Sequence, residues 1–348
     1  MSSLYPLRLE SSLHETIWGG QRLELDGWKR LPEGARTVGE SWETEISNRI
    51  ENGPHAGKTL GELVTYLGAP LLGKQAISIF GERFPLLAKF IDANAKLSVQ
   101  VHPNDDYAAR NEHGKLGKTE FWYILAAEPG ASIIHGFQVP SNSEQVQNAI
   151  ESVALESLLH EEPVQAGDVV FVPAGTVHAI GSGILLYELQ EYSDVTYRMY
   201  DYGRRDASGK TRELHIERSL DVSHYHVSPH VKVRPIVLSS QEQYEERCLI
   251  ACQYFVTREV NLKARGVLQD TTTDSCVILT SLGASLRVAY GPDLEQGEQL
   301  ERGETIVLPA ELGTYRLEGE GLLLRSYVPS AEDEAWRLWR QHNHESSK

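Results

Sequence analysis

Cysteine and methionine are scarce in this chain, with three of the first and two of the second among 348 residues. An odd and small cysteine set excludes a disulfide-framed secreted scaffold. Cys248 and Cys252 lie close together, but nothing nearby completes a thiolate metal set, so they and Cys276 are expected as reduced core or surface residues. No apolar run approaches the ~18 residues of a membrane span. The opening MSSLYPLRLESS lacks the basic stretch and apolar core of an export signal, which leads to the expectation of a cytoplasmic chain. Positive charge is short as well: 33 Lys and Arg face 49 Asp and Glu, a net charge of −16. That field argues against general nucleic-acid binding, and no membrane partner is expected. Any anionic substrate must be met by cations gathered locally against the overall charge.

What is present is a long chain of ordinary apolar content, 41% hydrophobic, enough for two or three domain-sized cores. KTLGELVTYLG reads as a helix, with Thr59 and Glu62 in capping-box spacing and Gly68 as its stop. FPLLAKFIDANAKLSVQV reads as two strands around an Asp-Ala-Asn turn. NDDYAARNEHG is expected as a short helix capped by Asn104 or Asp105, KTEFWYIL as a strand, and 143–160 as helix, in one piece or two. From Gly167 onward short strands alternate with Pro-Ala-Gly, Gly-Ser-Gly and Ser-Asp turns, the signal of a small antiparallel barrel or sandwich. LHIERSLDVSHYH is expected as a helix leading out of it. SAEDEAWRLWRQHNHESSK is expected as a terminal helix with Ser330 and Asp333 in capping-box spacing and Trp336 and Trp339 on one packing face.

A weak repeat underlies the second half. AGDVVFVPAGTVHAI (166–180) lies over RGETIVLPAELGTYRL (302–317), matching Gly167 with Gly303 and Pro173 with Pro309. GILL and GLLL follow at similar distances. The second copy has Thr314 where the first has His178, so chemistry is expected in the first copy and scaffolding in the second. The expected division is a catalytic unit over 1–235 and a degenerate β unit over 236–348.

The stretch LSVQVHP alternates Leu97, Val99 and Val101 on one strand face with Ser98, Gln100 and His102 on the other. A buried amide and imidazole need partners: water, side chains or a metal ion. Glu120 sits inside the aromatic strand KTEFWYIL, where an unpaired carboxylate is costly; a Lys118–Glu120 pair at a sheet edge is the bland explanation. His178 follows the turn VPAGTV, a place where a histidine is usually solvated or bonded to backbone. Taken together, two imidazoles, one carboxylate and an amide on strands of one barrel make a nitrogen and oxygen metal site with an open position. Zinc, manganese, iron and cobalt all accept such ligands. Glu188 shares a strand face with Leu186 and Gln190. Arg198 reads either as a surface ion pair with Glu188 or Asp194, or as a clamp for an anion or oxyanion. Lys96 and Lys118 add two cations beside the strands that carry the ligands.

Several phrases are familiar in order and spacing: IWGGQRL (17–23), VGESWE (38–43), FPLLAKFIDANAKLSVQVHPNDDYA (84–108), GKTEFWYIL (117–125), VPAGTVHAIGSGILLYELQEYSDVTYRMYDYGR (172–204) and LHIERSLD (214–221). The chain resembles the type I mannose-6-phosphate isomerases in their short bacterial form, strongly over about the first 225 residues and weakly beyond. The resemblance implies a mainly β, cupin-type jelly-roll barrel with helical decoration and a second, degenerate C-terminal barrel. It implies one Zn2+ per chain, held by His102, Glu120 and His178 with Gln100 as a further ligand, and it places the catalytic arginine at Arg198, site lysines at Lys96 and Lys118 and a proton-transfer glutamate at Glu188. The implied partner is a small sugar phosphate, taken by a monomer or dimer. Ile180 stands where longer members carry an aromatic residue, and their long helical insertion is missing here. An iron-dependent cupin oxygenase and a non-catalytic sugar-binding cupin are the competing readings of the same ligands.

Overall fold

The computed structural model describes residues 4–345 other than 36, 206–208, 228–230 and 284. The strands in chain order are β1 (Leu7–Arg8), β2 (Ser12–Gly20), β3 (Val38–Trp42), β4 (Leu86–Ala93), β5 (Val99–Val101), β6 (Glu120–Ala127) and β7 (Ser132–Phe137). Then come β8 (Leu159–Pro163), β9 (Val169–Val172), β10 (His178–Ile180), β11 (Ile184–Glu191), β12 (Tyr197–Tyr200) and β13 (Lys232–Val233). The last group is β14 (Ile236–Ser240), β15 (Tyr244–Ala251), β16 (Val256–Thr271), β17 (Val277–Ser281), β18 (Leu286–Tyr290), β19 (Gln296–Leu300), β20 (Thr305–Leu308) and β21 (Thr314–Tyr327).

They form three sheets. A seven-stranded sheet runs β13-β9-β6-β11-β4-β3-β2, and a five-stranded sheet runs β12-β5-β10-β7-β8. Between β4 and β7, and again between β9 and β12, each successive strand crosses to the other of these two sheets. The turns seen in the sequence are the places where the chain changes sheet, which is the jelly-roll habit. The remaining strands form a nine-stranded sheet around the long antiparallel ribbon of β16 and β21.

Strand β4 shows the layering. All eight of its residues, LLAKFIDA, are buried. Leu86, Ala88 and Phe90 join the largest apolar core, while Ile91 and Ala93 join a second core with Trp122, Ile124, Leu186 and Ile180. A strand covered on both faces loses the apolar–polar alternation of a half-exposed one. The second core lies between the seven- and five-stranded sheets. The outer face of the five-stranded sheet presents Val99, Val101, Val177, Ala179, Tyr197 and Met199 to a third core, closed by Val146, Ala149 and Ile150 of the helix Ser143–Glu151. Leu97, which precedes β5, joins the inner core rather than sharing the outer face with Val99 and Val101.

Local sequence signals hold in detail. Thr59 and Glu62 form a reciprocal capping box on Leu60–Leu67. Asn104 Oδ1 accepts the Tyr107 N–H at 2.9 Å, capping Asp105–Asn111. The 143–160 stretch is Ser143–Glu151 followed by a 3-10 turn Leu155–Leu158. Ile216–Val222 and Glu334–Glu345 are helices. The expected terminal capping box is corrected: Asp333 itself is the cap, its Oδ1 accepting the Trp336 N–H at 2.8 Å. One carboxylate sited before the first turn does the work of the Ser330 hydroxyl.

The expected second, degenerate barrel is not confirmed. Among the described residues the C-terminal strands pair as one open sheet, without a closed ring. The repeat explains why. Gly167 and Gly303 both take positive φ, +90° and +78°. In the first copy the chain then turns into β10 of the facing sheet, whereas in the second β20 and β21 stay in one sheet. Leu7 of β1 pairs with Val307 of β20, and the largest core draws residues from both sides of position 235.

Candidate functional site

The site lies between the seven- and five-stranded sheets, built by cross-strand rows. In an antiparallel pair, directly opposed residues point to the same face. On the five-stranded sheet Gln100 is opposed by Arg198 on one side and His178 on the other, and His178 by His135. All four therefore face inward. On the seven-stranded sheet Glu188 is opposed by Lys89 and Trp122, Lys89 by Trp42, and Glu120 by Gln190. These side chains face the first row across the interior.

His102 follows β5 and precedes Pro103. The break is useful, because the two carbonyls there are left to bind other segments. His102 O accepts the Gly175 N–H at 2.8 Å, and Pro103 O accepts the Lys118 N–H at 3.0 Å. The turn before His178 and the start of β6 are thereby tied to the same point of chain. Gly175 takes φ +87°, and a Cβ there would lie 2.6 Å from the His224 ring.

Both histidines are oriented in the same way. His102 Nδ1 is 3.0 Å from Val195 O and His178 Nδ1 is 2.8 Å from Thr176 O. A carbonyl can only accept, so each Nδ1 carries the proton and each Nε2 presents its lone pair. His102 Nε2 lies 3.5 Å from Glu120 Oε2, and His178 Nε2 lies 3.4 Å from Glu120 Oε1. The three side chains are buried, and one ligand atom from each falls within a span of 4.8 Å. Among the described residues His178 Nε2 makes no hydrogen bond. A buried lone pair left without a donor is costly, and a cation satisfies it. The group fits a divalent metal of the nitrogen and oxygen class, with carbonyls fixing the imidazoles from behind.

Electrostatics agree. Burial, with Lys118 adding to it, holds His102 well below its ordinary range, and burial lowers His178 to about 3. Both imidazoles are therefore neutral. Burial and the neighbouring Glu188 raise Glu120 to about 7. Lys118 Nζ sits 2.8 Å from Glu120 Oε2 and 3.2 Å from His102 Nε2. The Lys118–Glu120 pair expected at a sheet edge thus exists, but it is buried inside the site.

A cavity of about 210 Å3 opens beside this group, lined among others by Trp18, Gln100, Lys118, Lys89, Glu188 and Arg198. Trp122 Nε1 is shared between Glu120 Oε1 and Glu188 Oε2, 3.1 Å from each. Although burial opposes it, Lys118 and Lys89 hold the Glu188 carboxyl below its usual range. Lys89 Nζ is 3.2 Å from Glu188 Oε1 and 3.5 Å from Glu40 Oε2, and lies over the Trp42 ring. Arg198 reaches the cavity and donates to Ser98 Oγ and to Glu213 O rather than to Glu188 or Asp194.

The structure brings Gln100, His102, Lys118, Glu120, His178, Glu188 and Arg198 together. It does not bring Lys96 there. That side chain pairs with Glu156 at 3.3 Å, about half exposed, and lies over the Tyr202 ring. Lys89 occupies the cavity wall instead. A single lysine within an otherwise apolar run was the available signal, because such a charge must have a buried partner.

Residues 6–125 match the family model described as phosphomannose isomerase type I, catalytic domain. Mannose-6-phosphate isomerase ManA of Bacillus subtilis is 38% identical over 328 residues, covering 93% of this chain and 99% of the relative. A mannose-6-phosphate isomerase of Streptococcus mutans is 36% identical over 326 residues, covering 92% and 98%. The crystal structure of the mannose 6-phosphate isomerase from Bacillus subtilis superposes with a TM-score of 0.80 at 31% identity, over 92% of this chain and 99% of that one. With likeness along nearly the whole of both chains, this protein belongs to the type I phosphomannose isomerase family.

Proposed function

We propose that this chain interconverts mannose 6-phosphate and fructose 6-phosphate in the cytoplasm, with one zinc ion held by His102, Glu120 and His178 and with Gln100 beside them. The observation that carries the reading is the meeting of those three buried ligand groups within 4.8 Å, next to a cavity lined by two lysines, two arginines and the carboxylates of Glu40, Glu188 and Asp194. Residues 1–235 are taken as the metal-binding unit and 236–348 as its support.

Aldose and ketose interconvert by moving a proton between C2 and C1 through an enediol. When bound, zinc supplies a Lewis acid that polarises and positions the sugar oxygens. Glu188 is the proton carrier: it is ionised, faces the cavity, and is oriented by Trp122 and Lys89. Lys118 places a positive charge beside the reacting end, where oxygen charge develops. Arg198 holds the phosphate end so that C1 and C2 stay in one place. The charged lining suits a hydrophilic anion better than the apolar substrate of an aromatic-cleaving oxygenase.

A coupled assay that follows fructose 6-phosphate formation from mannose 6-phosphate tests the reading. Turnover that is lost on chelation and restored by added zinc is the expected result. Full activity in a metal-free sample, or sugar binding without turnover, overturns it.

A further inference from the structure

Two carboxyl groups grip the chain on either side of Lys118. Asp105 Oδ1 accepts the Gly117 N–H at 2.8 Å, and Glu191 Oε1 accepts the Thr119 N–H at 2.8 Å. Between them the Lys118 N–H is donated to Pro103 O at 3.0 Å. Three consecutive amides are thus held, and the lysine among them reaches Glu120 at 2.8 Å and His102 at 3.2 Å. Gly117 permits the close approach to the helix Asp105–Asn111, because a Cβ there would lie 2.5 Å from Asp105 N. Glu191 itself stands apart from the metal group. Gln190 is opposed by Glu120, so the next residue turns to the other face of the sheet.

The remaining oxygens of the two groups lack donors. Glu191 is 1% exposed, and its Oε2 has no hydrogen-bond partner among the described residues. The Asp105 carboxylate faces it within hydrogen-bonding reach, and Asp105 Oδ2 already accepts the Tyr254 O–H at 2.8 Å. Two ionised carboxylates can only accept, so neither satisfies the other, and their like charges repel where water is excluded. One proton on Glu191 Oε2 removes both penalties: it supplies a donor to Asp105 and leaves a single negative charge on the pair. The other titratable groups against Glu191 are Cys252 and Tyr254, in the turn between β15 and β16. Burial raises both of them, so each is neutral beside the pair. Burial, and next Asp105, also raises Glu191 to about 8.

We propose that Glu191 and Asp105 share one proton and are positioning residues that hold Lys118 at the reacting end of the cavity. The inference rests on the role given to Lys118 in the isomerase reading above. When the shared proton leaves, two negative charges face each other, and the groups that give way are the amides of 117–119 that the carboxyls hold. Lys118 then loses its fixed place beside Glu120. Through Tyr254, which anchors Asp105, the C-terminal sheet takes part in setting the site.

Infrared spectra, amide exchange and kinetics on the metal-loaded chain test this together. At pH 7 the intact chain should show a protonated-carboxyl C=O stretch that titrates away by pH 9 and is missing from Glu191→Gln. Exchange of the Gly117 and Thr119 amides, corrected for the intrinsic effect of pH, should quicken over the same range in the intact chain and stay slow in the variant. Between pH 7 and pH 9, kcat/KM for mannose 6-phosphate should fall about tenfold in the intact chain and less than threefold in Glu191→Gln, whose amide donates to Asp105 without titrating. Glu191→Ala, which takes the acceptor from Thr119, should lower kcat at pH 7, with Glu191→Gln recovering most of the loss. A merely structural role would lower the melting temperature of Glu191→Ala and leave the two pH ratios equal. If Glu191→Ala fails to fold, Glu191→Gln decides. The inference is overturned if Glu191→Gln keeps the infrared band, or if the amides and kcat/KM follow pH alike in both proteins. A Glu191-dependent band and amide response in a chain without isomerase activity would instead support the shared proton and overturn the proposed reaction.

Discussion

Lys89 Nζ lies 3.2 Å from Glu188 Oε1, and both side chains are buried on neighbouring strands of the seven-stranded sheet. The pair fixes the carboxylate that faces the cavity. It also makes each partner dependent on the other. Although burial lowers its pKa, the carboxylates of Glu188 and Glu40 keep Lys89 charged. Lys89→Met should therefore leave two carboxylates without their cation. Removing one member of a buried pair costs ~3–5 kcal/mol. A lower urea midpoint together with a large fall in kcat/KM is expected; an unchanged midpoint would show that the pair contributes nothing to stability.

The same pair marks the limit of what was legible beforehand. His102, Glu120 and His178 stood out because each sits in a motif whose local pattern betrays it: an imidazole before proline, a carboxylate among aromatics, a histidine past a glycine turn. Lys96 is close to Ser98, Gln100 and His102 in the chain but not in space. The strand starts only at Val99, and the residues before it turn the lysine out toward Glu156. Lys89 lies in a strand buried on both faces, so no alternation announced which face held the cavity. Its partners Glu40 and Glu188 come from strands distant in sequence, and strand order is a tertiary fact. The repeat has a similar limit: it specifies strand and turn, but not which sheet the next strand enters.

Metal content should follow the three ligands. His102→Ala and His178→Ala each remove one nitrogen of the group and should yield protein with little bound metal by mass spectrometry. Glu120→Gln keeps the shape and drops a charge, so it should weaken the metal while the chain stays folded. If the histidine variants retain a full equivalent, the ion is held elsewhere. Zinc is the expected element in protein purified without added metal.

Gly175 offers a way to disturb the site from a distance. Its φ of +87° disfavours any side chain, and a Cβ would come within 2.6 Å of the His224 ring. Its N–H also holds the turn onto His102 O. Gly175→Ala should cost about 1–3 kcal/mol from strain at this backbone conformation. Because the turn leads into His178, metal affinity should fall along with the melting temperature. A variant that melts normally and binds metal normally would show that the turn does not set the ligand position.

Stability should depend on pH through Glu191, which sits at the end of β11 outside the metal group. Its carboxyl is buried, and Oε1 accepts the Thr119 N–H at 2.8 Å. Burial, and next the Asp105 carboxylate, raises its pKa from 4.5 to about 8. Tyr254 donates to that same Asp105 at 2.8 Å, so the facing carboxylate is itself held in place. A folded-state pKa above the unfolded one means that the folded chain binds the proton more tightly. The stabilisation is complete below about pH 4.5, shrinks as pH rises and is gone by about pH 8. Its size is on the order of a few kcal/mol, since each unit of difference is worth ~1.4 kcal/mol. Glu191→Gln keeps an acceptor for Thr119 and gives Asp105 a donor that does not titrate. Urea midpoints taken at pH 5 and pH 8 should therefore fall for the unaltered chain and fall less for the variant. Equal slopes in the two proteins would mean that Glu191 titrates in the folded chain as it does in the unfolded one.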